Sequence, residues 1–213
     1  MKKLFIIMMA MTMSLTMGAK SIRELWISMP DSIVPLLDKN MRTEFVELHD
    51  MKVKAEVNNL LEETSVMDTL TQNFIQVRLN AAATLQVKML PYTDGDSLLC
   101  VVKTLAAPEK ESEVMLYDQQ WHPLDTSSLF DGKDLSAVME SLIQKPDTME
   151  ERRFQELKAM IEPRMMSAIL LEHDNSIVFR LSLPLLSKDD KKQVSVIRMQ
   201  RKFNWNGKSF NEG

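Results

Sequence analysis

Few residues in this 213-residue chain have the types and spacing that chemistry needs. Glu172-His173-Asp174 is the densest titratable run, and a carboxylate beside an imidazole could orient it as a general base. Adjacent residues of a strand point to opposite faces, so these three side chains cannot converge on one substrate. Asp174-Asn175 also has turn chemistry, and a solvated hairpin is the expected setting. His49-Asp50 falls near the end of a helical pattern, where an imidazole can meet the last carbonyls. His122 precedes Pro123 and stands far from both. Three dispersed histidines match no metal-binding spacing, and the single Cys100 excludes a multi-thiolate zinc site.

The remaining candidates are equally thin. Asp94-Gly95-Asp96-Ser97 lacks the further oxygen ligands of a calcium loop and reads as a turn. Cys100 lies inside the apolar run Leu98–Val102, the setting of a buried hydrophobe rather than of a reactive thiol. No nucleophile elbow, Walker loop or dinucleotide-binding glycine motif is present. The stretch from Arg198 to Trp205 mixes cations with aromatics, as a stacking surface for single strands or sugars would. A broad basic field to support nucleic-acid binding is missing.

The elements that would have to position any site begin with a leader. Lys2 and Lys3 precede an apolar stretch from Leu4 to Met17 that ends on Gly18 and Ala19. That layout is a secretory signal, with cleavage after Ala19 or, alternatively, after Gly18. The run is shorter than the roughly 20 apolar residues a bilayer span requires. No cysteine follows it, so a lipid anchor at a new N-terminal cysteine is excluded. Cleavage leaves 24 basic and 30 acidic residues, a formal net charge of −6. A mildly acidic exported chain is a poor nucleic-acid binder. Six of the 18 methionines go with the leader, and the other 12 occupy apolar positions that suit core packing.

Beyond the leader the chain alternates helical and strand periods. Ser21 and Glu24 form a capping box ahead of Ile22, Leu25, Trp26 and Met29. A second helix is expected from Leu36 to Met51, burying Leu37, Met41, Phe45 and Leu48 and leaving Lys39, Arg42, Glu44 and Glu47 outside. Residues 75–80 and 84–89 then alternate apolar with polar, predicting antiparallel strands with one face in water. Leu98–Val102 and Val114–Tyr117 complete a meander of four or five strands. From residue 128 the sequence starts again. Helices capped at Asp134, and by a box at Thr148 and Glu151, precede strands at 168–172, 177–183 and 194–205. Lys188–Lys192 reads as a solvated connector, and Asn206-Gly207 as a two-residue hairpin turn returning along Lys208–Phe210. The prediction is an α+β protein of two helix-plus-meander halves, 20–127 and 128–213, after a signal at 1–19. They would be two similar lobes, or a pseudo-repeat sharing one sheet with its helices on one face.

Several runs resemble an uncharacterised exported family of Bacteroidetes-type bacteria, a domain of unknown function. They are Trp26-Ile-Ser-Met-Pro-Asp-Ser-Ile-Val34, Leu37-Asp-Lys-Asn40, Met89-Leu-Pro91, Val101-Val-Lys-Thr104, Tyr117-Asp-Gln-Gln-Trp121 and Trp205-Asn-Gly-Lys-Ser-Phe210. The resemblance spans most of the chain after the leader and implies no activity, cofactor or catalytic residue. A more distant fold analogy is to β-lactamase-inhibitor-like proteins, which suggests binding, although fold does not determine function.

The expectation is therefore an exported, non-catalytic binding or interaction module of the cell envelope, periplasmic or extracellular, without cofactor, metal or nucleic acid. Its partner would be a protein, peptide or glycan, met by rigid aromatics from the two hairpins: Tyr117, Trp121, Phe203 and Trp205. The alternative is an envelope hydrolase whose site folding assembles from His49, His122 or His173 beside an Asp or Glu. A third is a structural subunit of an envelope complex.

Overall fold

The computed structural model describes residues 20–92, 96–106, 109–126 and 129–213. The leader, the Asp94-Gly95 turn and the boundary at 127/128 lie outside the described residues. Helices α1 (Ile22–Ser28) and α2 (Lys39–Asp50) come first. A six-stranded antiparallel meander follows: β1 (Glu56–Asn58), β2 (Thr64–Leu70), β3 (Phe74–Arg78), β4 (Ala83–Pro91), β5 (Ser97–Ala106) and β6 (Lys110–Tyr117), neighbours in chain order. Helices α3 (Leu135–Ser141) and α4 (Glu151–Ala159) lead into β7 (Met165–Leu170) and β8 (Ser176–Ser182). Helix α5 (Lys188–Val194) precedes β9 (Gln200–Trp205) and β10 (Phe210–Glu212). These last four strands form a second antiparallel sheet, ordered β10-β9-β8-β7.

The protein is thus α+β, with strands in two sheets rather than one. Strand count differs between the halves, and α5 interrupts only the second meander, so the two are not copies of one plan. Both faces of the first sheet are covered. Ile75, Val77, Leu85, Val87, Leu99 and Val101 point to one face and pack with Leu25, Trp26, Leu37 and Phe45 of the N-terminal helical layer. Phe74, Leu90, Cys100, Val102, Val114 and Leu116 point to the other and share a core with Phe154, Leu157, Phe179 and Phe203. Cys100 is fully buried there, which pushes its thiol up to about 12.

That second face was expected in water. Instead β7 crosses it from β6 to β4. As the edge strand of its sheet, β7 has backbone groups on one side with no strand to meet. Side chains of the first sheet meet them. Ser112 Oγ accepts from the Ala168 N–H (2.9 Å) and donates to the Ala168 carbonyl (3.4 Å). Gln86 accepts from the Leu170 N–H (2.9 Å), while its amide nitrogen reaches the Leu170 carbonyl (3.4 Å) and Gln76 (2.8 Å). Lys88 donates to the Glu172 carbonyl at 2.7 Å. Gln86 and Lys88 are consequently 7% and 1% exposed. Burial holds the Lys88 ammonium below the usual lysine range, against the raising charges of Asp174 and Glu172.

Several local expectations change. Arg42 is 1% exposed, because α2 turns Arg42, Phe45 and Val46 inward. That helix starts at Lys39 behind an Asp38 cap that accepts from Met41 N–H at 2.9 Å. β1 and β2 are additional strands, and the register shift between Met67 and Thr69 puts Met67 and Leu70 inward, three apart. No side chain caps α4, whose N-cap is Glu150 rather than Thr148. The expected connector at Lys188–Lys192 is α5, capped by Ser187, and the strand after it begins only at Gln200. The last hairpin has a four-residue loop, Asn206–Ser209, closed by the Trp205–Phe210 pair. Only Gly207 has positive φ, at 97°, so a two-residue turn with both φ positive is not formed.

Replacing Gln86 with Leu should leave both polar groups of Leu170 unpaired and destabilise the fold by about 2–4 kcal/mol. Gln76→Ala, which removes one side-chain bond, should cost about 0.5–1.5 kcal/mol. Denaturant unfolding measures both, and equal effects would contradict this role for Gln86.

Candidate functional site

The four aromatic candidates separate. Phe203 points into the core between the sheets and is 1% exposed, its ring 5.8 Å from Phe130 and 5.7 Å from Phe179. Trp205 is half-buried against Phe210 (5.0 Å), and its indole donates to the Pro91 carbonyl at 2.6 Å. Tyr117 and Trp121 lie on the helical side of the first sheet, with their rings 5.5 Å apart. The four therefore do not share one exposed sheet face. Among them, only Tyr117 and Trp121 come together at a groove.

That groove has three sides. Its floor is the helix-facing side of the sheet edge: Lys103 on β5, and Glu113, Met115 and Tyr117 on β6, where Lys103 and Glu113 are register partners. One wall is Pro30, Ser32 and Ile33 from the connection between α1 and α2. Arg42 pins that wall: its guanidinium donates to the carbonyls of Met29 and Leu37 and pairs with Asp31 at 2.9 Å. The other wall is Trp121 and Pro123. The turn before it is wound by Asp118, whose carboxylate accepts from the backbone N–H of Gln120 (2.7 Å) and His122 (2.9 Å). Leu124 N–H then returns to the Leu116 carbonyl at 2.9 Å.

Trp121 takes a left-handed conformation, φ +66°, which is strained for a bulky side chain. The gain is visible: the ring is 6% exposed and the indole donates to the Leu25 carbonyl at 3.1 Å, tying the turn to α1. The groove has a volume of about 370 Å³, within the range of small-ligand clefts. Burial raises the Tyr117 phenol above the ordinary tyrosine range, with Glu113's charge adding to the effect. Its hydroxyl donates to Met115 Sδ at 3.3 Å. Two further depressions run along α2 from Asn40 to Met51 and between Ser21–Arg23 and Leu70–Gln72. Neither contains one of the aromatic candidates.

The histidines stay apart, each beside a carboxylate near it in sequence. His49 Nδ1 is 3.7 Å from Asp50, His122 Nδ1 2.9 Å from Asp118 and His173 Nδ1 3.9 Å from Glu172. Backbone and His122 hydrogen bonds lower Asp118 below the usual carboxylate range, outweighing the larger single effect of burial, which raises it. His173 is exposed in the β7–β8 turn, where a hydrogen bond from Lys202 foremost lowers the neighbouring Asp174. No group of three His, Cys, Asp or Glu side chains able to hold a metal ion occurs among the described residues. The cations near Trp205 are engaged, Arg201 with Glu212 and Lys202 with Asp174 at 2.7 Å. Sequence reasoning missed Lys103, Glu113, Met115 and the Pro30–Ile33 wall. The alternation of Lys103, Val101 and Leu99 against Glu113, Met115 and Tyr117 could have placed the floor residues on one face.

Fold and groove together define an α+β protein of two stacked antiparallel sheets that carries a cleft at a sheet edge. Residues 14–210 match the family model described as "Protein of unknown function (DUF3256)", and the chain belongs to that family. Among solved structures it is similar to a domain of an uncharacterized protein from Porphyromonas gingivalis W83, with a TM-score of 0.72 and 20% identity over 90% of this chain and 98% of that one. At that identity the likeness shows the fold alone. A comparison with curated proteins finds no match.

Trp121→Ala should destabilise the protein by about 3–5 kcal/mol, as loss of a buried aromatic does. Glu113→Gln, at the exposed floor, should stay within about 0.5 kcal/mol. Thermal unfolding of the two variants distinguishes a wall that belongs to the core from a floor that does not.

Proposed function

We propose that this protein is an exported, non-catalytic binding module of the cell envelope that takes its ligand in the groove beside Tyr117. The observation that carries the reading is the groove's composition. Ile33, Met115, Tyr117 and the two prolines flank one cation and one anion on a rigid sheet edge. A combination of apolar surface with a few placed polar groups is the usual makeup of a ligand cleft. Tyr117 and Trp121 remain contact candidates here, whereas the buried Phe203 and the tied indole of Trp205 serve the fold. A protein, peptide or glycan of the envelope would supply the ligand. The leader pattern of residues 1–19 supports export. Among the described residues no helix is long and apolar enough to cross a membrane.

Mass spectrometry of the protein recovered from its native cells should find Lys20 as the first residue, or Ala19 for the earlier cut. An intact leader on the mature protein would overturn the export. A photo-reactive amino acid at Ser32, on the groove rim, should give a specific adduct in those cells. The same residue at Arg152, exposed on α4, should give none. Equal labelling at both positions, or none at Ser32, would overturn the groove as a binding site.

A further inference from the structure

Lys103 and Glu113 are the two charged residues that line the groove. Lys103 and Glu113 stand opposite each other on adjacent strands, on the same face, where opposite charges normally pair. Among the described residues neither makes an ion pair or a side-chain hydrogen bond. Lys103 is half-buried, so part of its hydration is already lost. A ligand that supplies a carboxylate to Lys103 and a cation to Glu113 would restore what the fold leaves unpaired.

Resting on the binding reading above, we propose that the groove holds a small zwitterion with an apolar side chain, either a free amino acid or a short peptide. Its carboxylate meets Lys103, its α-ammonium meets Glu113, and its side chain lies against Ile33, Met115 and Tyr117. Side chains opposite each other on neighbouring strands start about 5 Å apart. An extended dipeptide, at about 3.3–3.6 Å per residue, spans about 7 Å, within reach of the long Lys103 and Glu113 side chains. An anion alone would face Glu113, a cation alone would face Lys103, and a neutral sugar would desolvate both without pairing either. The middle of a long peptide brings no terminal charges to the floor.

Calorimetric titration of the protein with L-leucine, L-leucyl-L-leucine, N-acetyl-leucyl-leucine and leucyl-leucinamide tests this. At least one of the two zwitterions should bind, and whichever of them binds more tightly identifies the source. Blocking either terminus of the dipeptide should weaken it by about tenfold or more, the worth of one charge-assisted contact. Lys103→Met should erase the preference for the free carboxylate, and Glu113→Gln the preference for the free amine. Thermal midpoints close to that of the parent would show that both variants remain folded. The proposal is overturned if neither zwitterion binds at millimolar concentration, or if the blocked peptides bind as well as the free one. An adduct at Ser32 without zwitterion binding would reject this ligand and keep the groove. Absence of the adduct would reject the groove itself.

Discussion

A buried backbone N–H or carbonyl must have a partner, and that requirement at β7 organises the molecule. β7 is the last strand of its sheet, so Ala168 and Leu170 turn amides and carbonyls toward a neighbour that is not a strand. Water would satisfy them at an open edge, and an open edge would also invite another chain. Here Ser112, Gln86 and Lys88 rise from the face of the first sheet and take the place of the missing strand. The second sheet can therefore be laid on the first without leaving polar groups stranded. The Phe130, Phe179, Phe203 and Phe210 cluster supplies the apolar contact, but apolar contact alone is non-directional. The side-chain ladder fixes where β7 lies.

The helical side of the first sheet uses the same device with different donors. Trp26 donates its indole N–H to the Arg42 carbonyl at 3.0 Å, Trp121 to that of Leu25, and Arg42 its guanidinium to those of Met29 and Leu37. The Trp26 bond ties α1 to α2, and the Trp121 and Arg42 bonds each join a helix to a connection that lacks regular partners. The connection between α1 and α2 and the turn after β6 become fixed walls through these ties. Four of the runs that carry the family resemblance meet here, and the Met89–Pro91 and Trp205–Phe210 runs meet through the bond from Trp205 to Pro91. The motifs are therefore chiefly the cross-ties of a scaffold, and a groove arises where two of those ties stand on either side of a bare strip of sheet.

What could be seen in the sequence follows from how local each signal is. The capping box at Ser21, the alternation through β3 and β4 and the apolar run of β5 rest on neighbours within a few residues, and each marks its element, although the face expected in water is covered. The strand β2 was hidden because its register shift breaks the two-residue period that announces a strand. Gln86 and Lys88 looked like solvent-facing residues because their partners lie 84 positions away in sequence. Arg42 looked exposed for a similar reason, since its carbonyl partners belong to an irregular connection with no pattern of its own. Aromatics gave half of the site: composition marks Phe203 and Trp121 alike as large rigid surfaces, and only tertiary packing separates a core ring from a groove wall. The polar half, Lys103 and Glu113, required knowing which residues face each other across β5 and β6.

The groove's position also bears on how a ligand would be held. Lys103, Glu113, Met115 and Tyr117 sit on paired strands, and their spacing is set by the sheet rather than by a loop that must be ordered on binding. Ordering a loop or a flexible side chain subtracts from affinity, so a preformed floor retains more of each contact. The strain at Trp121 fits the same account. A left-handed φ costs about 1–3 kcal/mol in a non-glycine residue and persists only where the surroundings over-determine it. The indole bond to Leu25, the Asp118 turn and the ring's burial together impose it, and they do so at the wall nearest to Tyr117. Rigid walls and a rigid floor leave the two unpaired charges as the groups with most to gain from a ligand. For that reason, recognition here should turn on charge placement more than on shape.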